Sequence, residues 1–87
     1  VIGMFLAVIA ITLRKSILDP QGSMIAKSLR NLDFRVEDTR AGKHLELTFR
    51  ASDENHAREL LQEMCAKLLV NSVTEEYRII SLNAYED

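Results

Sequence analysis

Eighty-seven residues of 9.9 kDa, 47% hydrophobic and 28% charged, suffice for one small folded domain and leave no room for a second. Eleven Lys and Arg against thirteen Asp and Glu give a net charge of −2, which removes the electrostatic motive for binding nucleic acid, and a lone cysteine, Cys65, excludes an intrachain disulfide and fits a reducing, cytoplasmic setting. A domain of this size buries only about 60% of the surface its unfolded chain exposes, so an oligomer is expected.

The apolar start, Val1 to Leu13, is too short to span a bilayer and has neither a basic segment before it nor a small-residue cleavage site after it. No signal peptide, anchor or membrane association is expected. Val1, Ile2 and Gly3 precede Met4 and read as an upstream extension or an expression remnant, with the domain running over 4–87. From Met4 to Arg14 the chain is rich in β-branched residues and predicts a first strand. Both its faces are apolar, Phe5, Ala7, Ile9 and Ile11 on one and Leu6, Val8 and Ala10 on the other, as in a central strand. Asp19 then caps a helix whose first position suits Pro20, and Ile25, Leu29 and Leu32 form its expected buried stripe.

Phe34 to Arg50 predicts two strands meeting in a hairpin near Gly42, the first a charged edge strand around Arg35 to Arg40. In the second, Leu45, Leu47 and Phe49 alternate with His44, Glu46, Thr48 and Arg50. Ser52 and Asp53 open a second helix with Ala57, Leu60, Leu61, Met64, Leu68 and Leu69 as its apolar stripe. Asn71 and Ser72 stop it, and Tyr77 to Leu82 is the last strand. The order βαββαβ predicts an α+β two-layer sandwich, ferredoxin-like, with a four-stranded antiparallel sheet and two helices on one face. The bare face would carry Leu6, Val8 and Ala10 as a dimer or sheet-face contact.

Candidate chemistry is sparse. Cys65 has no adjacent histidine to lower its pKa and reads as a small half-buried helix residue. His44 and His56 lie in no metal-ligand spacing, so no metal site is expected. Asp53 with Glu54, and Glu75 with Glu76, read as a helix start and a solvated loop rather than a general acid and base. No catalytic or cofactor-binding residue is therefore expected. Asp19-Pro20-Gln21-Gly22, a helix mouth with Arg14 and Lys15 just before it, leaves an anion site open, and Arg40 and Lys43 flank Gly42 at the expected hairpin tip.

Three strings fall together here: Leu18-Asp19-Pro20-Gln21-Gly22; Arg40-Ala41-Gly42-Lys43 with Glu46-Leu47 following; and Met64-Cys65-Ala66-Lys67-Leu68-Leu69-Val70-Asn71 leading to Glu76-Tyr77. Their order and spacing, from about Met4 to Leu82, resemble the PurS family, the small subunits of phosphoribosylformylglycinamidine (FGAM) synthase. Two positions depart from that pattern, Ser72 where Pro is frequent and Asp33 where Gly is common, and both bear on turns. The resemblance implies a non-catalytic subunit of a three-protein ligase of de novo purine biosynthesis. It would be a homodimer, with further pairing into tetramers open, that bridges the glutaminase PurQ and the synthetase PurL and supports ammonia transfer. ATP, magnesium and glutamine would be used by the assembled complex in converting formylglycinamide ribonucleotide to formylglycinamidine ribonucleotide. It also implies a contact loop at Asp19, Pro20, Gln21 and Gly22, with Arg40, Gly42, Lys43, Asn71, Glu76 and Tyr77 at matching motif positions.

Two other classes compete. A small regulatory domain of the same βαββαβ build would hold an anionic ligand at the helix mouth. An RNA-binding sheet would need aromatics on its central strands and a basic surface, and this chain has only Phe5 and Phe49 there with a pI near 5.7.

Overall fold

The computed structural model describes residues 3–85; the parts of the expected extension and domain at residues 1, 2, 86 and 87 lie outside them. Three strands and two helices follow in the order β1 (Gly3–Leu13), α1 (Pro20–Asn31), β2 (Gly42–Ala51), α2 (Glu54–Met64), one π-helical turn (Cys65–Leu69) and β3 (Glu75–Ala84). The sheet is antiparallel in the order β2-β1-β3, so the most apolar strand is central. Phe5 pairs with Phe49, Ala7 with Leu47 and Ile9 with Leu45, which puts these side chains on one face. On the β3 side the register slips once between Val8 and Ile9, leaving Ile80 as the extra residue of a β-bulge.

α2 covers that inner face. Asp53 caps it, its Oδ1 accepting from the His56 N–H at 2.7 Å. Ala57, Leu61 and Cys65 at spacings of four are buried against Phe5, Ala7, Ile9, Ile11, Ala51 and Leu82. Cys65, expected half-buried, is fully buried. Leu68, expected on the same stripe, is 84% exposed, because the wider π turn, closed by Val70 N–H to the Cys65 carbonyl at 3.0 Å, rotates the residues after Cys65 out of phase.

The expectation of four strands needs correction: the described residues form three. β2 begins at Gly42, opposite Thr12, with φ outside the left-handed region, so no hairpin reverses the chain there. Residues 35–40 find local partners instead of a ladder. Arg30 Nη1 donates to the carbonyls of Val36 at 2.9 Å and Glu37 at 3.5 Å, and the Thr39 N–H donates to Asp38 Oδ1 at 2.9 Å.

The first helix also departs from its expected place, since α1 packs against no strand and not against α2. With residues 33–41 returning alongside it, α1 forms an arm that stretches the molecule to 55 × 29 × 14 Å. The helix buries a small-residue face, Gly22 and Ala26, while Ile25 and Leu32 of the expected core stripe lie 38% and 67% exposed. At the tip Asp33 takes φ 71°, a left-handed conformation that Asp tolerates better than most residues.

Candidate functional site

The arm leaves the sheet after Leu13 and returns at Gly42, and both crossings meet at Asp19. The Asp19 side chain is buried at 5% exposure, with Oδ1 accepting from Gly22 N–H at 2.9 Å and Oδ2 from Ala41 N–H at 2.8 Å. One carboxylate thus caps α1 and fixes the strand that enters β2. These backbone bonds, Gly22 first and Ala41 next, hold its pKa below the usual carboxylate value against the opposing effect of burial, with help from the Arg40 charge. Arg40 Nη2 donates to the carbonyls of Leu13 and Arg14, both at 2.8 Å, and the guanidinium also reaches Ile17 at 3.5 Å. Gly22 is needed here, because any Cβ would strike the Thr39 carbonyl, and a Cβ on Gly42 would strike the Ile11 carbonyl.

A second group lies beside the first. Lys43 Nζ stands 3.5 Å from Glu75 Oε2, and Glu75 Oε1 accepts from Asn71 N–H at 2.8 Å. The Asn71 bond first, then Lys43, lowers the Glu75 pKa. Arg14 Nη2 donates to the Ser72 carbonyl at 2.9 Å and Nη1 lies 4.0 Å from Glu76 Oε2. At the Asn71-Ser72 turn, Asn71 Oδ1 accepts from Val73 N–H at 3.0 Å, closing an Asx turn. The structure therefore brings all ten motif residues to one end of the sheet, in two clusters joined through Glu75. A cleft of about 250 Å³ opens among Asp19, Gln21, Gly42, Lys43 and Glu75, and another of about 310 Å³ among Arg14, Cys65, Glu76 and Tyr77. Sequence reasoning missed Glu75, read there as loop; its position opposite Leu13 depends on the β1–β3 register, which no local signal gives. Leu6, Val8 and Ala10 are half-buried on the sheet face that α2 leaves bare, Leu6 and Val8 away from this end and Ala10 beside Glu76 and Tyr77.

The contacts of these groups hold backbone in place. Both Asp19 oxygens already accept N–H bonds, and a carboxylate held ionised in this way is a poor proton acceptor. It also occupies the α1 N-terminus, where the competing reading would seat an anionic ligand. Burial pushes the Cys65 thiol up, away from the reactive thiolate. His56 Nδ1 accepts from Ser52 N–H at 2.9 Å, and His44 Nε2 meets Glu46 Oε2 at 3.1 Å on the bare sheet face. Among the described residues no three of His, Cys, Asp or Glu converge as metal ligands, and no helix is long and apolar enough to cross a membrane.

A family model described as PurS, phosphoribosylformylglycinamidine (FGAM) synthase, matches residues 6–82. The phosphoribosylformylglycinamidine synthase subunit PurS of Bacillus subtilis is 42% identical over 76 residues, 86% of this chain and 89% of that protein. Among solved structures, Thermus thermophilus PurS is similar with a TM-score of 0.85 and 38% identity, covering 95% of this chain and 99% of that one. A chain in the structure of PurLQS from Thermotoga maritima is similar with a TM-score of 0.80 and 31% identity, over 94% of this chain and 98% of that one.

Proposed function

The chain belongs to the PurS family, a subunit of FGAM synthase in purine biosynthesis, and from that premise we propose that it serves as a non-catalytic adaptor dimer between the glutaminase PurQ and the synthetase PurL. The similarity to a chain of PurLQS supports these two partners. ATP, magnesium and glutamine are then handled by the partners, in the cytoplasm, and this chain supports ammonia transfer by holding the two enzymes together, which raises effective concentration without adding chemistry.

The single observation that carries the dimer is the arm. Its apolar residues Met24, Ile25, Leu32 and Phe34 are exposed, the outer edge of β2 is unpaired, and a groove of about 390 Å³ lined by Leu47, Leu60, Met64 and Leu68 runs beside α2. A second copy supplies what is missing: its residues 33–41 as a fourth strand on β2, and its α1 in the groove. The four-stranded ferredoxin-like sheet is then reached across two chains. Leu6, Val8 and Ala10 are then left for a further subunit of the assembly, a second dimer or one of the enzymes.

At the base of the arm Gln21, Lys43, Asn71, Glu76 and Tyr77 present side chains outward and are proposed to touch the partner enzymes, whereas Asp19, Pro20, Gly22, Arg40 and Gly42 shape the loops that carry them. The test is glutamine-dependent formation of formylglycinamidine ribonucleotide by purified synthetase and glutaminase, with and without this chain, alongside co-elution of the three. Turnover and a complex that both require the chain are expected. Equal turnover in its absence would sink the adaptor reading.

A further inference from the structure

Resting on the dimer reading above, we propose that Asp19 and Arg40 form a hinge clamp that holds the arm outward and so selects the exchanged dimer over a closed monomer. The same sequence has a competing arrangement, in which the chain reverses at Ala41-Gly42, residues 33–40 pair with their own β2, and α1 lies over its own Leu47 and Met64. Nothing in the length of the loops forbids it; closed and exchanged forms share nearly all their contacts, and hinge conformation decides between them.

The hinge geometry favours one. Reversal requires residues 40 and 41 to swing away from the end of β1 toward the outer edge of β2. Arg40 prevents this by gripping the Leu13 and Arg14 carbonyls at 2.8 Å, which keeps residue 40 beside the end of β1, in line with β2. Asp19 prevents it a second time through the Ala41 N–H at 2.8 Å. Because the other oxygen of the same carboxylate caps α1 at Gly22, the direction of the outgoing helix and that of the incoming strand are set together. Gly22 lets the Thr39 carbonyl sit against the first turn of α1, and Gly42 continues straight into β2 without the positive φ that a two-residue hairpin demands. Asp19 and Arg40 are therefore positioning residues for the arm, acting on assembly through the backbone that they hold.

Sedimentation of the full chain over a range of concentrations tests this, with far-ultraviolet circular dichroism as the check on folding. The variants are Asp19→Asn, Arg40→Ala, and an Asn-Gly insertion between Ala41 and Gly42 that supplies the missing hairpin turn. Wild type is expected as a dimer, the two substitutions to raise its dissociation constant by about tenfold or more with unchanged dichroism, and the insertion, which leaves residues 40 and 41 clamped, to stay dimeric and to become a folded monomer only when Arg40→Ala is added. A folded monomer from the insertion alone, with Asp19 and Arg40 in place, overturns the clamp, and this readout stands if a substituted protein does not fold. Variants that all dimerise as tightly as wild type overturn the clamp and leave the dimer standing. A wild type that sediments as a 9.9 kDa monomer throughout overturns the dimer reading, and the clamp with it.

Discussion

The body of the molecule and its arm solve the same problem of a thin core in opposite ways. In the body, one helix laid across three strands buries Ile9, Ile11, Leu61 and Cys65 almost completely, so that sheet and helix are closed within one chain. In the arm, twelve helical residues and the returning segment 33–41 bury only Gly22 and Ala26, while larger apolar residues face outward. Both segments carry the apolar spacing of an amphipathic helix. The difference teaches that apolar spacing marks the face of a helix without fixing whether its own chain covers that face.

The strongest way to break the contrast is to weaken each side in turn. Leu61→Ala leaves a cavity under α2 and is expected to lower stability by about 2–5 kcal/mol, read by urea unfolding. Leu32→Asp, in the arm, is expected to leave the dichroism of the dilute protein unchanged while abolishing the rise of melting temperature with concentration that an exchanged dimer shows. If Leu32→Asp instead unfolds the dilute protein as Leu61→Ala does, the arm is part of a single-chain core and the contrast fails.

Acid sharpens the contrast at the junction. Asp19 and Glu75 both have lowered pKa values, so each contributes stability that is full above its unfolded pKa, roughly 4, and is lost as the pH falls through the lower folded value. Dimerisation and stability should therefore hold from neutral pH down to the ordinary carboxylate range and fall below it, and the Asp19→Asn protein should show less of that fall in a pH series of unfolding curves. The smallest effect belongs to the tip of the arm. Asp33→Gly relieves a left-handed residue at φ 71° and is expected to stabilise by about 0.5–1 kcal/mol in thermal melts.

Much of the body was legible in the sequence. Eleven residues without Gly or Pro, apolar on both faces, located the central strand, and Asp19-Pro20 and Asp53 located both helix starts. The strand expected around Arg35 to Arg40 does not form, because Gly42, which by its type suits a turn, here provides clearance from the Ile11 carbonyl; both uses favour glycine. The exposure of Leu68 was hidden for a different reason, since a π turn leaves no mark on an otherwise regular helical pattern. At the candidate site the motif strings gave the residues but not their division of labour. That Asp19 is buried and Gln21 exposed follows from the meeting of two hinges far apart in sequence.

The bulge at Ile80 bears on how this chain tolerates change in its length. Because side chains in a strand alternate, losing one residue from β3 at most positions would turn one arm of the strand over and expose Ile79 or Leu82. Ile80 is the exception: without it, Ile79 still faces Ile9, Ser81 still faces Val8, and the alternation becomes regular. β3 thus has one place where a codon can be lost without turning the strand over.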